Sequence, residues 1–537
     1  MERSSSVSPN RRGPALVALC MAAFVISLDT TIVNVALPSL VRQLDASVTD
    51  LQWVVDAYSL VFAALILAAG SLSDRLGRKG ILMAGLGLFG AASLAGSAGS
   101  SVGQLVAARA VMGLGAALIF PATLSIISNI FTRRAERARA IGLWGATTGV
   151  GIALGPIMGG WLLERFWWGS VFLFMAPVAA GIALLVSIVV PPSRDPTAPP
   201  VDWAGLVMSA AGMGALIFTI IEAPDAGWGS GRTIAGFAAG VAILAGFLAV
   251  ERRRRHPMLD VSLFRNLRFV AASGAVTVAF FALSGFIFLV TQYFQFLKAY
   301  SPLATGVRLL PVAASVAISS VVGTRLAVRV GNKLVVTSGL ILLSSAFLWI
   351  STTSAASGYL EIAAQMLVLG TGMGLTSAPA TEAIMGVVSK EKAGVGSAVN
   401  DATRLLGGTL GVAVIGSVAA SLYAARLGST LPRGLPPATA EAAKGSVGGA
   451  IIAAQRAAGA GLQTAADQLH SAAIQAFERS FAAGCLVAVG VAVAGALLAW
   501  FVLPARPSAE PTPARDSTTR RLDRPSRPAR REARDDR

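Results

Sequence analysis

Residues 51–98 read LQWVVDAYSLVFAALILAAGSLSDRLGRKGILMAGLGLFGAASLAGSA, two apolar runs at about 51–72 and 80–98 around a loop holding Asp74, Arg75, Arg78 and Lys79. At a rise of about 1.5 Å per residue, each run as a helix is long enough to cross the ~30 Å hydrocarbon core of a bilayer. The same alternation recurs along all 537 residues, of which 54% are hydrophobic and only 13% charged. A water-soluble surface needs far more charge. The sequence therefore predicts an all-α integral membrane protein.

Fourteen transmembrane helices are expected. The first eight lie near 14–37, 51–72, 80–98, 103–127, 140–162, 170–190, 204–222 and 233–250. The last six lie near 269–291, 305–324, 333–353, 359–381, 393–421 and 479–503. If the N-terminus is cytoplasmic, the cytoplasmic segments before the C-terminal tail carry 22 basic residues. The short external loops carry four, Arg42, Arg165, Arg232 and Lys298. Positive residues collect on the cytoplasmic side of membrane proteins, so both termini are expected there.

The net charge of +17 has a bland origin. The run of Arg252, Arg253, Arg254 and Arg255, followed by Arg265 and Arg268, suits a cytoplasmic anchor at anionic headgroups. Ten arginines after Pro504, interleaved with Pro, Ser and acids, read as a disordered cytoplasmic tail. No aromatic residue in that tail could stack on bases, so no nucleic-acid partner is expected. The first apolar run is too long for a cleavable signal peptide.

The loop Arg75-Leu76-Gly77-Arg78-Lys79 has an echo in Arg329-Val330-Gly331-Asn332-Lys333. Each is the second loop of a six-helix block. The domain reading is a cytoplasmic N-terminus (1–13), a six-helix bundle (14–190) and a linker with two extra transmembrane helices and a basic cytoplasmic loop (191–268). A second six-helix bundle (269–503) follows, with a partly helical external loop at 422–478, and then the basic tail (504–537). Parallel repeats around a midplane site are a transporter architecture.

Ionisable residues inside a span are costly and point to function. From the external ends of their spans, Asp29 lies at a depth of roughly 13 Å, Asp56 roughly 8 Å and Arg109 roughly 9 Å. Two acids and a guanidinium at one level can form a switchable network in which one acid takes up a proton. Asp56 also admits a plainer reading, in which its carboxylate snorkels to the surface. Glu382, near the cytoplasmic end of the twelfth span, is a second candidate proton carrier. Asp401 and Arg404, three apart on one helical face beside Asn400, fit an internal ion pair.

Gly70, Asp74, Arg75, Gly77 and Arg78 can build a tight turn with an ion pair from Asp74 to either arginine. Such a cluster could be a conformational latch or a static lipid anchor. Gly151, Gly155 and Gly159, every fourth residue, form a smooth stripe for close helix packing, continued by Gly160. Pro156 removes one helical hydrogen bond there.

These stretches resemble the major facilitator superfamily, specifically its fourteen-helix drug:proton antiporter branch, over roughly residues 14–503. Residues 70–79 (GSLSDRLGRK) are similar to the superfamily's loop signature, and residues 28–38 (LDTTIVNVALP) to the first-helix signature of that branch. Residues 151–160 (GIALGPIMGG) are similar to the fifth-helix antiporter signature. Tyr293-Phe294-Gln295, Tyr300-Ser301-Pro302-Leu303 and Pro311 are similar to a further pattern of the branch.

The resemblance implies the major facilitator fold, a conformational role for the 70–79 loop, and proton coupling or substrate contact at Asp29 and Arg109. In Trp53-Val54-Val55-Asp56-Ala57-Tyr58, Asp56 is similar to the quaternary-ammonium exporters. Three places depart from the family: Met112 stands where Gln is usual, Trp167-Trp168-Gly169 replaces a Trp-Arg-Trp, and Met175-Ala176-Pro177 replaces an Asn-x-Pro.

The function implied is a proton-coupled antiporter that exports drug-like hydrophobic or cationic molecules by alternating access. It would sit in the cell (cytoplasmic or inner) membrane, multi-pass, and work as a monomer. The alternatives are a proton-coupled uptake carrier and a non-transporting membrane receptor or scaffold. No cofactor or metal is expected, since no phosphate-cradling loop or ligand cluster appears. Enzyme chemistry is not expected: Cys20 and Cys485 lie inside apolar runs, and His256 and His470 lie in loops on opposite sides.

Overall fold

A computed structural model describes residues 9–194, 202–254, 261–387, 393–432 and 436–504. The expected tail from residue 505 onward and most of the N-terminal segment therefore lie outside the described residues, as do residues 195–201 and 255–260 of the linker, Arg255 among them. The described residues contain helices and no strand.

The first six helices are α1 (Pro9–Leu44), α2 (Val48–Leu76), α3 (Arg78–Ser97), α4 (Val102–Ile130), α5 (Arg134–Arg165) and α6 (Ser170–Val189). The inserted pair is α7 (Trp203–Ala226) and α8 (Gly231–Glu251). Then come α9 (Leu267–Gln292), prolonged by a π-helical turn at Tyr293–Leu297, α10 (Pro302–Arg308), α11 (Leu310–Val330), α12 (Asn332–Ile350) and α13 (Tyr359–Met385). The chain closes with α14 (Ala393–Thr430), α15 (Pro437–Gly445), α16 (Val447–Gly459) and α17 (Gln463–Val502).

Local chemistry sets several of these boundaries. Ser47 starts α2 through a capping box, its hydroxyl accepting from the Asp50 amide while the Asp50 carboxylate accepts from the Ser47 amide. The expected tenth span is two helices, α10 and α11, because Pro311 sits in the first turn of α11 and brings no N–H for a continuous ladder.

Among the described residues, thirteen helical segments are long and apolar enough to cross a membrane. The remaining expected span is α13, 27 residues diluted by Gln365, Gly370, Thr371, Gly372 and Gly374. It packs along α11 and α12, so it completes the fourteen. Apolar side chains such as Val328 and Ile318 stay exposed, as lipid-facing positions require.

The two halves repeat their packing. In the first, α1 packs on α5, α2 on α4, α3 on α4, and α3 on α6. In the second, α9 packs on α14, α11 on α13, α12 on α13, and α12 on α17. The echo seen in sequence is a backbone identity: Gly77 (φ 121°) alone joins α2 to α3, and Gly331 (φ 92°) alone joins α11 to α12. An L side chain rarely adopts such φ values. A second echo, Pro121-Ala122-Thr123 in α4 and Pro379-Ala380-Thr381 in α13, marks corresponding helices. The inserted pair lies against the seam, α7 touching both α2 and α14.

The segment expected as an external loop is mostly helical. Helix α14 runs on to Thr430, and α17 begins at Gln463 and is 40 residues long. At about 1.5 Å per residue, α17 extends to about 60 Å, roughly twice the hydrocarbon thickness. The segment's many alanines favour helix. Between them, α15 and α16 fold over the end of the molecule where α1 turns into α2. That end is called the Asp45 end below, and the opposite one the Gly77 end.

Candidate functional site

Asp29 of α1 and Arg109 of α4 meet in the middle of the first half. Arg109 Nη1 lies 2.7 Å from Asp29 Oδ2, with side-chain exposures of 1% and 0%. Arg109 Nε donates to the Val54 carbonyl at 3.0 Å, and its guanidinium stacks over the Tyr58 ring, 4.2 Å from the centroid. The arginine is thus shared between an acid on α1 and the backbone and ring of α2. Gly113, one turn along α4, lets α4 press on the Tyr58 backbone, where a Cβ would collide.

The expected three-membered network does not form. Asp56 is fully buried, and among the described residues neither of its oxygens has a hydrogen-bond partner. The reason lies in helix geometry. At about 100° per residue, Val54 and Tyr58 lie near the opposite face of α2 from Asp56, which shares its face with Gln52. Gln52 packs against α14. Arg109 serves one face of α2, and Asp56 looks toward the other half. Its complete burial also removes the snorkelling reading.

Met112, the departure from the family pattern, is buried and takes a weak contact from the Ser93 hydroxyl at 3.6 Å. Glu382 is exposed near the end of α13 and joins neither Asp29 nor Asp56. Asp401 and Arg404 stand 3.9 Å apart, and Asn400 accepts from Thr381 at 3.1 Å, as an internal pair requires.

At the Gly77 end, Asp74 Oδ1 accepts from Arg78 Nε and from the Ser125 hydroxyl, each at 2.7 Å. The hinge at Gly77 places Arg78, rather than Arg75, beside the acid. Arg75 instead offers its carbonyl to Arg194 Nε at 2.7 Å. Gly70 lies against Pro121, with an added Cβ at 3.7 Å. The partners Ser125 and Arg194 are far off in sequence and were not anticipated.

The glycine stripe of α5 has a definite partner. A Cβ at Gly151 would lie 2.8 Å from the Phe24 carbonyl, and one at Gly159 would lie 2.9 Å from that of Ile32. At Gly155 it would strike the Thr31 hydroxyl, which donates to the Ile152 carbonyl at 3.0 Å. The stripe therefore docks α5 on the stretch of α1 that bears Asp29. Gly160 and Pro156 face the other way, against Leu303 and Gly306 of α10 in the second half. One helix thus holds both the acid-bearing helix and the seam between halves.

Other seam contacts were silent in the sequence. Gln52 donates to the Val412 and Ala413 carbonyls and to Ser417, and Gln295 donates to the Val35 carbonyl. Trp53 Nε1 donates to Glu222 of α7 at 3.3 Å. Among the described residues, the side-chain hydrogen bonds joining the two six-helix sets lie toward the Asp45 end.

Buried ionic groups in a two-fold repeated helical bundle, with glycine-lined seams between its halves, define a secondary membrane transporter rather than an enzyme. The sequence profile of the Major Facilitator Superfamily matches residues 19–412, and the chain belongs to that family. It is 35% identical over 494 residues to the multidrug efflux pump LfrA of Mycolicibacterium smegmatis, covering 92% of this chain and 96% of that one. It is 36% identical over 421 residues to the multidrug resistance protein Stp of Mycobacterium tuberculosis, 78% of each chain. The methyl viologen resistance protein SmvA of Salmonella typhimurium is 32% identical over 444 residues, covering 82% and 89%. The fold matches a bacterial homolog of the lysosomal transporter Spinster with a TM-score of 0.65 at 18% identity, covering 94% of this chain and all of that one.

Proposed function

We propose that this chain exports small hydrophobic or cationic drug-like molecules from the cytoplasm in exchange for protons. The observation that carries the reading is the pair of fully buried acids on α1 and α2, one compensated by Arg109 and one without a partner. A charged group inside a membrane costs roughly 2.5 kcal/mol or more, so an uncompensated acid needs a use. Its relatives' names describe multidrug efflux and resistance, which favours export over uptake and over a non-transporting receptor.

The basic residues assign the Gly77 end to the cytoplasm, with the two termini, and the Asp45 end to the outside of the cell membrane. The contacts across the seam then close the outer side. The repeated packing supports a division into two bundles, at 14–190 and 269–503, with the inserted pair in 191–268, and each chain would work as one unit. Protons arriving from outside would act on Asp29 or Asp56 and shift the balance between the two access states. Asp74, Arg78 and Gly77 would adjust the opposite end, while Gly151, Gly155 and Gly159 would hold α5 on the acid-bearing helix and Gly160 would let the halves rock at the seam.

Two measurements test this. Susceptibility of a pump-deficient host to neutral, monovalent and divalent toxic compounds, with and without the gene, should show resistance to several. Inverted vesicles should accumulate an exported dye when acidified inside. Accumulation only in right-side-out vesicles would make the chain an uptake carrier, and none in either would leave a receptor or scaffold.

A further inference from the structure

Two buried glutamines cross the seam in opposite directions, each holding main-chain oxygen of the other half. Gln52 of α2, fully buried, places Nε2 2.9 Å from the Ala413 carbonyl, 3.2 Å from that of Val412 and 3.1 Å from the Ser417 hydroxyl, all on α14. Gln295 of the π-helical turn, 5% exposed, donates to the Val35 carbonyl of α1 at 2.9 Å. Its own Oε1 accepts from Arg42 at 3.1 Å. Both acceptor helices belong to the opposite half.

Shape as well as polarity supports the first contact. Gly416 faces the Gln52 side chain, and a Cβ there would lie 2.8 Å from Nε2. Asp56 lies one turn further in on the same face of α2. Gln52 thus lies between the Asp45 end and Asp56 along that face. Carbonyls in a helix have a spare lone pair, so the amide adds a bond without unwinding α14. Water can take its place when the seam parts, which an interlocked apolar contact would not allow so cheaply.

We propose that Gln52 and Gln295 are reciprocal latches of the Asp45 end, positioning residues that keep outside water from Asp56 until both amides release the opposite half. The proposal rests on the alternating-access reading and names the groups that hold one of its two states. Their exchange partners are waters, and no covalent step is involved.

The test uses the full chain in native membranes, with Cys20→Ser and Cys485→Ser as background and Thr409→Cys as reporter. Thr409 is 1% exposed and one turn inward of Ala413 on α14. A membrane-impermeant maleimide is applied to right-side-out and to inverted vesicles, with Leu422→Cys, at an exposed position, as the reference site. Gln52→Met and Gln295→Met keep the side-chain length and remove the donor.

A net hydrogen bond corresponds to about a fivefold population shift. Each variant should therefore label about fivefold faster from the Asp45 side and more slowly from the Gly77 side, the reference site unchanged. Unchanged labelling in both variants overturns the proposal. So does faster labelling from both sides, which is loosened packing. If Gln52→Met fails to reach the membrane, Gln295→Met alone decides, since its acceptor lies on a different helix. The labelling needs neither drug nor gradient. A protein that labels as expected but exports nothing keeps its gate and loses the proposed function, and the reverse outcome is equally distinct.

Discussion

Asp29 and Asp56 sit on neighbouring helices, both completely buried, and their surroundings could hardly differ more. Asp29 lies inside the first half, gripped by Arg109, which is itself held by the Val54 carbonyl and the Tyr58 ring. Asp56 lies on the seam face of α2 with no partner among the described residues. The interior pair ties α1 to α4, two helices of one half. The seam acid lies where the halves must separate. A charge that is always compensated can organise a bundle, whereas an uncompensated charge at a moving interface can respond to what enters. We therefore propose that folding and coupling rest mainly on the first acid and selectivity mainly on the second.

The most severe test is to break the interior pair. Arg109→Met leaves Asp29 buried without its counter-charge, and removing one partner of a buried pair costs roughly 3–5 kcal/mol. We expect strongly reduced membrane protein and a lowered melting temperature. Asp29→Asn keeps a neutral hydrogen-bonding group beside Arg109, so folded protein should reach the membrane while proton-driven export is abolished. Unchanged efflux at normal expression would remove Asp29 from the coupling machinery.

Next in size is the glycine contact that positions Asp29. Gly155→Val places a branched side chain against Thr31 and the Leu28 carbonyl. Overpacking of this kind costs about 1–3 kcal/mol. Transport should fall at least tenfold, and melting of purified protein should drop by several degrees. The Gly149→Val control, at a position where an added Cβ meets nothing within 4 Å, should do neither.

Asp56→Asn is expected to be gentler on folding, because no ion pair is lost. A desolvated carboxylate attracts divalent cations most. Resistance should therefore weaken more for divalent than for monovalent or neutral compounds at matched expression. A uniform loss would erase the proposed division between the two acids. The smallest effect is expected from truncation at residue 508, beyond α17. Export and membrane insertion should remain near their full levels, since that composition cannot form a core.

The sequence made the depth of these groups legible but not their partners. Apolar run length placed Asp29, Asp56 and Arg109 near one level, and that level suggested a single network. Which face of α2 each residue occupies relative to α4 and α14 separated them. Gln52 carries no local signal, because a glutamine beside Trp53 reads as an ordinary interfacial residue and its acceptor lies 360 positions later in the chain. The stripe of Gly151, Gly155 and Gly159 announced close packing, yet not whether α1, another helix or lipid would fill it. The external segment, expected to be partly helical, is helical through most of its described residues: its alanines sustain helix on either side of the prolines.

Local chemistry therefore determined what each segment is. Hydrophobic run length defined the spans, basic residues supplied the expected orientation, and Gly77 and Gly331 marked the paired hinges. Those properties depend on neighbours within a few turns of chain. Only the tertiary structure decided that Arg109 belongs to Asp29, that Asp56 faces the seam, that α5 docks on the acid-bearing stretch of α1, and that two glutamines fasten one end. Such choices depend on which of several similar apolar faces meet. Within a membrane every face is apolar enough to be buried, so complementary shape and a few polar contacts, distant in sequence, select among them.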